Sequence, residues 1–216
     1  MFNTTIATQI YAKICFEATN SQKKIIENLS EYLSDDDFSR IFVLNGFAGT
    51  GKTTLIAAVV AALKELRIKP VLLAPTGRAA KVLARYCGEQ ALTIHKRIYR
   101  QRTNADYESK FSLDFNREQG AVFIVDEASM LSDSTGDGAL FGSGSLLEDL
   151  VSYVRSGRGC RLILVGDSAQ LPPVGCDFSP ALDPATVSRY GEVVYGLMDE
   201  VVRQQMQSGI LFNATL

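Results

Sequence analysis

Four short apolar runs punctuate the chain: IFVLN at 41–45, VLLAP at 71–75, AVFIVD at 121–126 and LILVGD at 162–167. Each is continuous rather than alternating, which predicts strands buried on both faces of a parallel sheet. Between them the spacing turns helical. Ile56, Val59, Val60, Leu63 and Leu66 mark one face of a helix, with Lys64, Glu65 and Arg67 outside it. Ala79, Val82, Leu83 and Tyr86 predict a second stripe, and Ile25, Ile26, Leu29, Tyr32 and Leu33 a third, ended by the acidic run at 35–37. Strands alternating with helices imply right-handed crossovers and an open α/β sheet covered on both faces.

Two segments break this rhythm. Residues 97–119 are polar and charged, and residues 132–145 form a Gly/Ser-rich stretch expected to be a mobile loop. There is no internal repeat and no Pro/Gly linker, so residues 1–216 are read as one domain. Composition narrows the picture: 46% of residues are apolar, enough for a substantial core, and the net charge is −2. With no global basic field, a nucleic-acid partner would have to be met by a local patch. Cys15, Cys87, Cys160 and Cys176 are scattered and only one histidine accompanies them, which disfavours a zinc site and fits reduced thiols in the cytoplasm. No apolar run is long enough to span a membrane, and the first residues lack a signal-peptide pattern.

In an open parallel sheet, ligands sit beyond the carboxyl ends of the strands, so the residues after each run belong together. The first run leads into GFAGTGKTT, which fits G-x-x-x-x-G-K-[ST] between a strand and a helix. Gly46, Ala48, Gly49, Thr50, Gly51 and Thr54 would cradle phosphates with backbone amides, Lys52 would reach the terminal phosphates, and the Thr53 hydroxyl would ligate Mg²⁺. The third run ends in Asp126-Glu127. Asp126 can hold Mg²⁺ through water and Glu127 can polarise an attacking water, which points to ATP hydrolysis rather than passive binding. The fourth run ends in Gly166-Asp167, and Gln170 follows on a loop braced by two prolines.

GFAGTGKTT, LAPTGRAAKVL, TIHK, VDEASM and LVGDSAQLPPVG, in that order, resemble motifs I, Ia, the TIH segment, II and III of superfamily 1 DNA helicases, particularly the RecD-like branch. The resemblance implies a P-loop NTPase of RecA-like, three-layer α/β fold with a central, mostly parallel sheet. It makes Gln170 a γ-phosphate sensor, a role suited to a neutral amide that can bond phosphate or water without taking a proton. TNSQ at 19–22 is similar to the Q motif, in which Gln22 would read adenine; Thr19-x-x-Gln22 is also a helix capping box, and Ala18 stands where the family usually has proline. MDEVVRQ at 198–204 is similar to motif IV, which would make Arg203 a catalytic arginine against the transferring phosphoryl group.

For single-stranded DNA, the resemblance together with local charge nominates Thr76, Arg78, His95 and Lys96, with Arg97, Arg100 and a stacking Tyr99 nearby. Residues 97–119 would be a small 1B-like insertion, a hairpin with Tyr107, Phe111 and Phe115 at its tip or in its packing. The family's second RecA-like domain, with motifs V and VI, is not in this sequence, so a monomeric motor domain of a longer helicase is expected, weakly active alone. By resemblance it would move 5′ to 3′ and serve recombination or repair. A P-loop phosphotransferase and a non-motor, ATP-switched partner-binding module are the competing readings.

Overall fold

The computed structural model describes residues 2–14, 17–103, 109–133 and 141–202. The elements run α1 (Phe2–Lys13), α2 (Asn20–Ser34), β1 (Ile41–Gly46), α3 (Lys52–Glu65), β2 (Pro70–Ala74), α4 (Gly77–Cys87), β3 (Ala91–Thr93) and α5 (Ile94–Ile98). A hairpin of β4 (Tyr99–Thr103) and β5 (Ser109–Leu113) follows, then β6 (Val122–Val125), α6 (Leu146–Ser156), β7 (Arg161–Gly166), α7 (Pro184–Val187) and β8 (Val193–Met198).

Six strands form one sheet in the order β3-β2-β6-β7-β1-β8, and every pairing is parallel. The continuous apolar runs follow from two covered faces. Phe42, Leu44, Ile124, Ile163 and Val165 join the core beneath α1 to α4, while Ile41, Val43, Phe123, Val125, Leu162 and Leu164 join the core beneath α5 and α6. Alternate residues point to opposite faces, so a strand with two dry faces needs apolar side chains at every position. The four expected strands are present within one residue of their expected starts.

β3 and β8 carry no such run. β3 has three residues, and β8 is an edge strand whose outward Tyr195 and Leu197 are 38% and 41% exposed, with Gly196 between them. The stripe expected on α4 also differs. Leu83 is buried, but the helix packs inward through Ala80 while Val82 and Tyr86 are 47% and 61% exposed. Small side chains let the helix sit close to the sheet, so backbone proximity rather than side-chain bulk sets its rotation.

Residues 97–119 hold an antiparallel two-stranded hairpin whose root is tied down by ion pairs. Arg97 pairs with Glu118 at 2.7 Å and Arg100 with Asp114 at 2.7 Å. The stretch expected to be a mobile loop includes residues 134–140, outside the described residues, but its last part is anchored: Phe141 stacks on Phe111 with centroids 4.5 Å apart and meets His95 edge-on at 5.1 Å. Among the described residues, no helix is long and apolar enough to cross a membrane.

Candidate active site

β1 ends at Gly46, the loop 47–51 turns over its tip, and α3 begins at Lys52, so the first-turn amides of α3 face the space above the sheet. Gly51, at φ 86°, is in the left-handed region, where a side chain would be strained, and a Cβ there would meet Gln22 Nε2 at 3.0 Å. Ala48 and Gly49 lie exposed at the crest, while Thr50 is buried and its hydroxyl donates to the Phe47 carbonyl at 2.8 Å. Thr53 is partly buried in the first turn of α3 and Thr54 is exposed beside it.

Lys52 is largely buried. Its ammonium donates to the carbonyls of Gly46 and Phe47, the latter at 3.0 Å, and lies 3.9 Å from Asp167 Oδ2. Burial pushes its pKa down, opposed by the charges of Asp167, Glu127 and Asp126 in decreasing order. Asp167, at the end of the fourth apolar run, thus lies beside the phosphate-loop lysine, and the charges of Glu127 and Asp126, at the end of the third, act on it. Asp126 continues the β6 ladder by donating its amide to the Leu73 carbonyl at 3.0 Å; burial raises its carboxyl pKa, and the neighbouring Glu127 charge adds to the rise.

Glu127 sits at φ 55°, an uncommon backbone state for a residue with a side chain, at the start of the turn Ala128–Met130. That turn packs closely on the end of β7: a Cβ on Gly166 would lie 3.0 Å from the Ser129 amide and 2.9 Å from Leu182. The glycine of the fourth run thus lets the turn after Asp126-Glu127 pack against the end of β7. Asp167 is 3% exposed and tightens its own turn, its carboxylate accepting from the Ala169 amide at 2.9 Å and its carbonyl from the Gln170 amide at 3.1 Å. Gln170 is exposed on that turn, ahead of Pro172 and Pro173.

Gln22 is fully buried and spends its amide on the chain itself. Oε1 accepts from the Thr19 amide at 3.0 Å, completing the capping box, and Nε2 donates to the Thr50 carbonyl at 3.0 Å. The adenine contact expected of Gln22 concerns a bound nucleotide; in this structure its amide braces the phosphate loop from beneath.

Thr76 caps α4, its hydroxyl accepting from the Ala79 amide at 3.2 Å, and Arg78 is exposed one turn beyond the strand end. His95 is half-buried against Phe141 and Tyr99, and burial lowers its pKa; Lys96 is exposed. Three neighbours nominated with them make contacts within the chain: Arg97 pairs with Glu118, Arg100 pairs with Asp114 while its side chain stays 68% exposed, and Tyr99 is 6% exposed with its hydroxyl donating to Asp149 at 2.6 Å, so its ring offers no stacking platform. Arg203 and Tyr107 lie outside the described residues, and Phe115 is 64% exposed. The residues leading to Arg203 do reach the site: Met198 O accepts from the Phe47 amide at 3.2 Å, and the Val202 amide donates to Gly49 O at 3.1 Å.

A family model described as an AAA domain matches residues 17–210. The chain belongs to this AAA-domain family. It is 31% identical over 154 residues to the ATP-dependent RecD2 DNA helicase of Deinococcus radiodurans, a match covering 71% of this chain and 19% of that protein. It is 32% identical over 201 residues to the RecBCD enzyme subunit RecD of Mycobacterium tuberculosis, covering 76% of this chain and 32% of that one. The AAA domain thus spans about a fifth to a third of the length of these relatives. Its fold is that of the Pif1 helicase from Bacteroides solved in complex with ADP-AlF3 and single-stranded DNA, with a TM-score of 0.55, 19% identity, and coverage of 89% of this chain and 44% of that one.

Asp167, Asn45 and Glu200 belong to the neighbourhood of the site and were not singled out by sequence reasoning. The carboxylate of Glu200 accepts from the amides of Asn20 and Ser21 at 3.2 and 3.1 Å, fastening the end of β8 to the N-terminus of α2. For Asp167 the signal was present, an aspartate directly after a buried strand. Asn45 was legible only as a polar residue inside an apolar run.

Proposed function

We propose that this chain is the ATP-hydrolysing motor of a DNA helicase or translocase, which binds ATP with Mg²⁺ and contacts single-stranded DNA. The observation that carries the reading is the convergence of Lys52, Asp126, Glu127 and Asp167 above one end of the sheet, at the N-terminus of α3. An ammonium released from two carbonyls can turn to the β- and γ-phosphates, where the first-turn amides of α3 add a positive dipole end. Glu127, fixed in an unusual backbone state, orients the attacking water and holds its proton. Gln170 bonds the γ-phosphate or that water, and Arg203 supplies charge to the transferring group.

Thr53 and Asp126 are hard oxygen donors on facing elements, which suits Mg²⁺. Such an ion would take its remaining ligands from phosphate and water. When bound, Mg²⁺ would neutralise phosphate charge during transfer.

The DNA path runs over the same strand ends, past Thr76, Arg78, His95 and Lys96, with the β4-β5 hairpin as a 1B-like element beside it. The relative named as an ATP-dependent DNA helicase supports the ATP-driven reading; 5′-to-3′ movement and a place in recombination or repair rest on the motif resemblance. Oligonucleotide-stimulated ATP hydrolysis tests it. Stimulation that disappears in Lys52→Ala is expected, and unchanged turnover in that variant would overturn the site assignment.

A further inference from the structure

Asn45 is the one polar side chain in a strand otherwise made of IFVL and glycine, and it is 6% exposed. Burying an amide is unfavourable unless its hydrogen bonds are met, and here they are met by two other elements. Nδ2 donates to Ser168 Oγ at 2.8 Å and to the Tyr195 hydroxyl at 2.9 Å, while Oδ1 accepts from the Ser168 amide at 3.0 Å. Ser168 lies inside the tight turn that Asp167 closes around Gln170. Tyr195 lies on β8, whose continuation binds the phosphate loop at Phe47 and Gly49.

One residue beyond Asn45, the Gly46 carbonyl receives the Lys52 ammonium. The same short stretch of β1 therefore sets the lysine on one side and the Gln170 turn on the other. Fixing Ser168 by both its amide and its hydroxyl removes the freedom of a turn that is otherwise exposed from 168 to 171.

We propose that Asn45 is a positioning residue that holds the Gln170 turn in register with the phosphate loop, so that the site discriminates between ATP and ADP. This rests on the reading above, in which Gln170 faces the γ-phosphate. The role concerns the last phosphate alone, which separates it from a general contribution to folding.

The test measures dissociation constants of fluorescent ADP and of a fluorescent non-hydrolysable ATP analogue for the wild-type chain, Asn45→Ala, Gln170→Ala and the double variant. Asn45→Ala should weaken the ATP analogue about five- to tenfold, the worth of one to two hydrogen bonds, and change ADP affinity by less than about twofold. The double variant should be no weaker than Gln170→Ala alone, because both changes remove one contact. Equal weakening of both nucleotides, or additive losses, would overturn the proposal.

If Asn45→Ala does not fold, Ser168→Ala removes one arm from the exposed turn and should lower ATP-over-ADP discrimination in the same direction; unchanged discrimination there overturns it. Should Gln170→Ala leave discrimination intact, the γ-phosphate role of Gln170 falls and this proposal with it. Lys52→Ala separates the underlying reading: retention of wild-type affinity for both nucleotides would sink the site itself.

Discussion

Both ends of the same parallel sheet bury charge, and they do so in opposite ways. At the amino end, Arg161 is 6% exposed, lying between the rings of Phe38 at 4.6 Å and Tyr32 at 5.4 Å, with the Asp37 carbonyl 3.4 Å from one of its nitrogens. Tyr32 is fully buried; its hydroxyl donates to Leu162 O at 2.8 Å and accepts from the Leu162 amide at 3.1 Å. At the carboxyl end, Lys52 lies 3.9 Å from the buried Asp167 and feels the charge of Asp126, next to a turn with exposed Gln170, Leu171 and Val174. One end ties β7 to α2 through the Tyr32 hydroxyl and seats Arg161 between two rings. The other keeps charge poised for something that is not protein.

The backbone shows the same contrast. Among the described residues, two non-glycine residues have positive φ: Arg67 at 60° and Glu127 at 55°. Arg67 ends α3, where the Ile68 amide donates to Leu63 O at 2.8 Å and the Arg67 amide to Lys64 O at 3.0 Å, the pattern by which helices commonly stop. Glu127 ends no helix. Its charge acts on the lysine, and an uncommon backbone state of this kind is one that functional sites retain.

The largest effect should come from Glu127→Gln, which keeps size and hydrogen bonding but removes the proposed base. ATP hydrolysis should fall about 10²- to 10³-fold with nucleotide affinity nearly unchanged, measured by single-turnover hydrolysis alongside equilibrium binding. A loss of less than about threefold would remove Glu127 from the chemistry and erase the contrast with Arg67.

Tyr32→Phe tests the opposite end. It leaves the Leu162 amide and carbonyl short of a buried partner and should lower unfolding stability by about 1 to 3 kcal/mol, measured by denaturant titration. Nucleotide affinity in the same variant should stay at the wild-type value, because the change lies at the other end of the strands. Coupled losses would show that the two ends are not separable.

What could be read before folding follows the same division. The two dry faces left four unbroken apolar runs, and phosphate chemistry left glycines, lysine and carboxylates at their ends; both are local patterns. Gln22, Asn45, Asp167 and Glu200 owe their roles to contacts across the sheet, and Gln22 bonds a carbonyl 28 residues away. The capping-box reading of Thr19 and Gln22 was local and is present, whereas the turn of Gln22 toward Thr50 required knowing where α2 lies. Likewise Arg97, Arg100 and Tyr99 looked free in sequence because Glu118, Asp114 and Asp149 approach from later segments.

A smaller effect separates stability from function at Asp126. Its folded pKa is raised by burial, so the stability it confers belongs to the protonated form, is complete below the unfolded carboxylate value, and is lost as pH rises through the folded one. Asp126→Asn should therefore raise the melting temperature at pH 7, with the gain shrinking as pH falls through the native value, while Mg²⁺-dependent hydrolysis is lost. A melting temperature that drops at pH 7 would mean that the ionised carboxylate is stabilising where it stands.

The smallest effect comes from making one substitution at the two positive-φ residues. Glycine relieves the left-handed backbone but adds freedom to the unfolded chain, so a net gain of about 0 to 1 kcal/mol is expected at each position. Arg67→Gly should show that gain with hydrolysis unchanged, since Arg67 only ends a helix at the amino side of the sheet. Glu127→Gly should show a similar gain while hydrolysis disappears. Parallel denaturant titrations and single-turnover assays on the two variants check this, and a clear destabilisation by Glu127→Gly would mean that the side chain holds its turn together rather than straining it.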